Sequence, residues 1–153
     1  MARSATIAGL VSLQRKLDRM PGIAKTKIRE AMAETADEIV AMMKSLAEDP
    51  AIIASIAWTW GAVPKGSRIV AAVKGAGVGG DLTLTIYAGD NEAFYVWWWE
   101  FGTAERFHST GKSVGSMSPS PFFFVSWRAN RRKARNRVRR AVRLAARATV
   151  RGS

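Results

Sequence analysis

Apolar residues recur along this chain with two different periods, and the change between them marks its parts. Over residues 5–19, Ile7, Leu10, Leu13 and Leu17 fall three or four apart, the spacing of an amphipathic helix that Ser4 or Thr6 can cap. Pro21-Gly22 interrupts, and a second helix is expected over residues 23–47. Its apolar line is Ile28, Met32, Thr35, Ile39, Met42 and Leu46, with Glu30, Glu34, Asp37 and Glu38 off the line. Asp49-Pro50 stops that helix, because a residue before proline avoids the helical region. Residues 51–56 allow one helical turn, and Trp58-Thr59-Trp60 starts a strand. Residues 68–74 (RIVAAVK) and 82–88 (LTLTIYA) read as two further strands. In the last, Leu82, Leu84, Ile86 and Ala88 share one face.

The period is lost in residues 94–103, FYVWWWEFGT, where six aromatic side chains surround one carboxylate, Glu100. Such a cluster is expected at the centre of a core, at a subunit interface, or at both, with Trp97, Trp98, Trp99 and Phe101 as anchors. Asp90 and Gly102 could cap a short helix here, but a strand fits equally, since an unbroken apolar run carries no period. Residues 103–120, rich in Ser and Gly and beginning at Thr103, read as a flexible loop. Pro121-Phe122 then opens a helix over residues 122–151, ~45 Å long. Its stripe, Trp127, Ala134, Val138, Ala141, Ala145 and Ala148, is mostly small, so a partner can approach closely. The expected fold is α+β, a single domain over residues 1–153. Long N-terminal helices and a C-terminal helix should pack on a small, mainly antiparallel sheet.

Charge sharpens the division. The net charge is +12, yet residues 106–153 hold 13 Lys or Arg and no acid, while the rest of the chain is almost balanced. The basic helix has two readings. Arg131, Arg132, Arg135 and Arg139 could contact nucleic-acid phosphates, or the helix could pair with acidic protein surfaces. A membrane-surface role fits less well, because the apolar stripe is mostly alanine. No run is long and apolar enough to span a bilayer, and the N-terminus lacks a signal-peptide pattern.

Candidate chemistry is sparse. With no cysteine and one histidine, His108, the chain offers no disulfide, no thiol and no recognisable metal set. Gly75, Gly77 and Gly80 match a dinucleotide-motif spacing, but a strand follows where a helix would have to receive the phosphates. Asp90/Glu92 and Glu100/Glu105 make poor acid–base pairs. No catalytic residue, cofactor or metal is therefore expected. For Glu100 two placements stay open: an ion pair with an arginine of the last helix, in this subunit or the next, or an outward position at the end of the aromatic run.

The order of these parts resembles the tail-completion, or head–tail joining, family of lambda-like long-tailed phages. The resembling residues are Ser55-Ile56, Tyr95-Val96, Glu100-Phe101-Gly102-Thr103 and Pro121-Phe122, within a span from about Ile28 to Arg143. Glu48-Asp49-Pro50 stands where the family often has Asp-Thr-Gly, Ile52 replaces a leucine, and Val125 replaces a second proline. The turn before the strands and the first turn of the last helix are therefore expected to differ from relatives.

The resemblance implies a structural virion protein of the neck, between head connector and tail tube, assembled in the host cytoplasm. It would form a homo-oligomeric ring, commonly of six, around the channel that DNA crosses. A tail terminator capping the tube is a close alternative; a sequence-independent nucleic-acid-binding protein is one of another class. The implied partners are other copies, neighbouring neck proteins and the tail tube, with no membrane. In such a ring the arginines are expected to face protein or solvent more than the lumen, and Glu100 to meet an arginine.

Overall fold

The computed structural model describes residues 22–74 and 82–151. The expected helix at residues 5–19 and the glycine loop at 75–81 lie outside the described residues. The fold is α+β. In chain order it comprises α1 (Gly22–Leu46), α2 (Pro50–Ser55), β1 (Ala57–Trp60), β2 (Ile69–Lys74) and β3 (Thr83–Ala88). Then follow α3 (Val96–Phe101), β4 (Thr103–Phe107), β5 (Ser113–Met117) and α4 (Phe123–Arg151).

Helix α1 runs unbroken because its sequence is rich in Ala, Met, Glu and Lys and carries no proline before Pro50. Its buried line is Ile28, Met32, Thr35, Ile39, Met43 and Ala47, stepping 4-3-4-4-4. The expected line kept a seven-residue repeat and so placed Met42 and Leu46 inward. A straight helix turns every 3.6 residues, and the true line drifts one position later. Met42 is accordingly half-buried and Leu46 exposed. Thr35 sits in this apolar line because its hydroxyl donates to the carbonyl of Ala31 at 2.8 Å.

Strands β1, β3 and β2 form an antiparallel sheet in that spatial order. Pairs Trp58↔Ile86, Trp60↔Leu84 and Ala71↔Ile86 put the apolar side chains on one face. Leu82, Leu84, Ile86 and Ala88 are all buried, as their alternation predicts. Thr85 is buried as well, its hydroxyl donating to the carbonyl of Gly61 at 2.7 Å. Helix α1 covers the inner face, and two tryptophans fasten it. Trp58 Nε1 donates to Asp37 at 2.7 Å, and the Arg29 guanidinium lies 4.1 Å from the centre of the Trp60 ring.

Helix α4 packs along α1. Its contacts Asn130–Met42, Lys133–Glu38 and Arg137–Thr35 run in opposite chain order, so the two helices are antiparallel. The partner that the small-residue stripe calls for is therefore α1 of the same chain. The buried residues of α4 include Ala134, Val138, Val142 and Ala145; Val142 replaces Ala141 in the expected stripe, and Ala148 is exposed. Glu38 accepts from Lys133 and Arg137, each at 2.9 Å, and these two cations hold its carboxyl below the usual range.

Candidate functional site

The aromatic segment is approached through two aspartates. Asp90 Oδ1 accepts the N–H groups of Glu92 and Ala93 at 2.9 and 2.7 Å, which turns the chain out of β3. Asp90 thus caps a turn ahead of the helix rather than the helix itself, whose N-cap is Tyr95. Asp49 caps α2 through Ala51 and Ile52, and the same Oδ1 accepts the Tyr95 hydroxyl at 2.9 Å. The Ile52 N–H, with Tyr95 and Ala51 behind it, holds the Asp49 carboxyl below its ordinary value, and Asp49 in turn raises the Tyr95 phenol.

Residues 96–101 then form α3, which settles the helix-or-strand question. On one helix face, four residues apart, lie Val96 and Glu100, 0% and 3% exposed. The opposite side carries Phe94, just ahead of the helix, and Trp97, Trp98 and Phe101 on it, which are 54%, 49%, 46% and 53% exposed. They stack in edge-on pairs, Phe94 with Trp98 and Trp97 with Phe101, at 6.1 and 4.6 Å between ring centres. Trp97, Trp98 and Phe101 are therefore not core anchors. With about half of each ring in water, the face is roughly 400 Å² of apolar surface, the scale at which a patch signals a binding surface. Trp99 is half-buried, and its indole N–H is enclosed with no partner among the described residues.

Glu100 does not take the expected outward position. It is buried, and among the described residues its carboxylate meets main-chain N–H groups rather than an arginine of the last helix. Oε2 accepts the N–H groups of Phe122 and Phe123 at 2.9 and 3.0 Å, and Oε1 accepts that of Phe124 at 2.9 Å. Those are orphan donors at the N-terminus of α4, where a negative charge is favoured by the helix dipole. Phe122 and Phe123 are both fully buried, while Pro121 is exposed. Sequence reasoning named Phe122 and missed Phe123. The available signal was a helix start, Pro-Phe-Phe-Phe, without Ser, Thr, Asp or Asn at its cap position, which demands an acceptor from elsewhere.

Gly102 ends α3 with φ 72°, its N–H donating to the carbonyl of Trp98 at 2.7 Å. The expected loop at 103–120 is instead a β-hairpin: β4 pairs antiparallel with β5, Thr103 opposite Met117, with irregular register beyond. Thr103 Oγ1 accepts the Met117 N–H at 2.9 Å, and Glu105 accepts the Ser113 hydroxyl at 2.7 Å. Almost every residue of the hairpin is exposed, including Phe107 at 63% and Val114 at 58%. His108 lies in its turn, Nδ1 3.2 Å from the Thr110 hydroxyl. Ser120 N–H donates to the carbonyl of Trp99 at 2.9 Å, closing the segment onto the end of α3.

The outward side of α4 is basic. Arg131, Arg132, Arg135 and Arg139 are exposed and make no ion pair among the described residues. Among the described residues, no group of three or more His, Cys, Asp or Glu could hold a metal ion, and no helix is long and apolar enough to cross a membrane. No family model, curated protein or solved structure matches the chain.

Proposed function

We propose that this chain is a structural protein of the phage neck, acting as a homo-oligomeric, commonly hexameric, ring between head connector and tail tube. The observation that carries this reading is the outward aromatic face of α3. A helical segment that turns Val96 and Glu100 inward and Phe94, Trp97, Trp98 and Phe101 outward is built to be covered by another protein surface. A second feature supports it. The two most specific pieces of the phage-family resemblance, Glu100-Phe101-Gly102-Thr103 and Pro121-Phe122, form one physical joint through the Glu100 carboxylate. A tail terminator would use the same parts, differing in which neighbours it meets.

The test is assembly. Analytical ultracentrifugation and electron microscopy of the purified protein, alone and mixed with tail tubes or connector, should give rings or end-bound complexes. A monomer at high concentration that decorates neither structure would overturn the reading. Tube ends capped in the absence of connector would favour the terminator role.

A further inference from the structure

The aromatic face does not account for the basic face of α4. The cations of this helix that meet Glu38 on α1 are Lys133 and Arg137. Arg132, Arg135, Arg139, Arg143 and Arg147 step 3-4-4-4 along the helix, and all five are exposed. They form a row of ~22 Å, and no acidic residue occurs anywhere in the chain from residue 106 onward. Arg132 of the row, with Ala129, Lys133, Asn136, Arg137 and Arg140, also lines a shallow open groove.

We propose that this row is a binding surface for the phosphate backbone of duplex nucleic acid. The chemistry separates it from other anionic partners. A protein partner recognises a face with an apolar or aromatic centre and a charged rim, whereas here guanidiniums fill the centre and the exposed apolar residues of α4 stand at the margins, Val125 and Val150 beyond the two ends of the row and Leu144 on its flank. Single strands are held by aromatic rings interleaved with cations, and the exposed rings, Phe94, Trp97, Trp98, Phe101 and Phe107, belong to the α3 segment and the hairpin, none of them interleaved with the arginines of α4. A duplex presents one negative charge per ~1.7 Å of its axis, so a 22 Å row finds a phosphate for every guanidinium. Arginine suits the task, because its planar fork can give a phosphate two hydrogen bonds. Contacts of this kind carry no sequence information and exchange readily, so they allow sliding rather than clamping. A ring with such a row in its lumen would still let DNA pass. The inference does not rest on the ring reading.

The experiment is fluorescence anisotropy of the full chain with a labelled 30-base-pair duplex across a salt series. With five phosphates contacted, log K should fall against log salt with a slope of about −4.5. The R132Q/R135Q/R139Q/R143Q variant should lose about 3.5 of that slope; glutamine is a good helix former and the four positions are exposed, so circular dichroism should be unchanged. A charge-matched control, K25Q/K27Q/K44Q/K65Q, removes the same net charge outside α4 and should keep most of the slope. Equal losses in the two variants would overturn the proposal, since binding would then follow net charge alone. So would polyglutamate displacing the duplex at equal charge concentration. A variant disrupted at Trp97 and Trp98 should bind the duplex with the same slope, which separates this surface from the assembly surface.

Discussion

Glu100 and Phe123 are 23 residues apart, and the carboxylate of the first holds the backbone N–H of the second at 3.0 Å. With Phe122 and Phe124 also bound, the side chain at the end of α3 is the cap of α4. A buried carboxylate is tolerated here because three backbone donors replace its water. It needs no arginine. A change at Glu100 should therefore harm folding directly, whatever it does to assembly. Glu100→Ala should destabilise by roughly 3 kcal/mol or more, since it strands several buried donors. Glu100→Gln turns an amide donor toward a backbone donor and should cost roughly 1–3 kcal/mol. Urea unfolding measures both; an unchanged midpoint for either would mean that α4 starts without this cap.

Gly102 supplies a second sharp test. A Cβ at this residue would lie 2.6 Å from the Met117 carbonyl and 2.9 Å from the Pro119 ring, in a left-handed conformation. Gly61 has a similar φ, 76°, but open space around it. Gly61→Ala should cost about 1 kcal/mol, the conformational penalty alone. Gly102→Ala should cost clearly more and loosen the hairpin, seen as faster hydrogen exchange at Met117, whose N–H is held by Thr103. Equal costs at the two glycines would show that the hairpin base yields freely.

The acid limb of stability should carry a contribution from Asp49. Its folded carboxyl titrates below the ordinary value of 3.8, so the contribution is fully present above that pH and is lost as pH falls through the lowered value. Asp49→Asn keeps a capping oxygen but cannot titrate. The stability difference between wild type and this variant should be largest at neutral pH and vanish in acid. Asp49→Ala should lose about 1 kcal/mol at neutral pH through the cap of α2. A wild-type–Asn difference that stays constant from neutral pH into acid would exclude Asp49 as the source.

The aromatic face predicts a separation of assembly from folding. Trp97 and Trp98 are about half exposed and lie outside the core, so Trp97→Ser/Trp98→Ser should cost a few kcal/mol at most and leave the chain folded, while lowering the assembled mass. Sedimentation checks the mass and thermal unfolding the stability. Full-size rings from this variant would remove the aromatic face from the interface.

Much of the fold was legible because it is written in period. The 3.6 repeat of α1 and α4 and the strict alternation of β3 each identify an element and its buried face. The seven-residue idealisation failed by drift, at Met42 and Leu46 in α1 and at Ala141 and Ala148 in α4. The aromatic run was not legible, because Phe94 to Trp99 has no polar residue to mark a face. A single helical turn then buried the small Val96 and the charged Glu100 and exposed the rings. The hairpin escaped because Thr103 to Met117 has neither alternation nor an apolar side; its pairing is held by backbone and by Thr103 and Glu105. The role of Glu100 was hidden for a further reason. Its partners are main-chain N–H groups, and these leave no mark on side-chain identity.

The closure between Trp99 and Ser120 has a consequence for how such a chain can vary. Residues 103–119 leave the body at Gly102 and return where the Ser120 N–H meets the Trp99 carbonyl. The body is already complete across that gap, since Glu100 reaches the start of α4 directly. The segment is thus a cassette: its length could double for an added closure entropy of only about 0.6 kcal/mol, with the joint beneath it untouched. Divergence, insertion of an affinity tag or exchange with another hairpin should concentrate there, leaving the two ends of the cassette as the fixed points of the design.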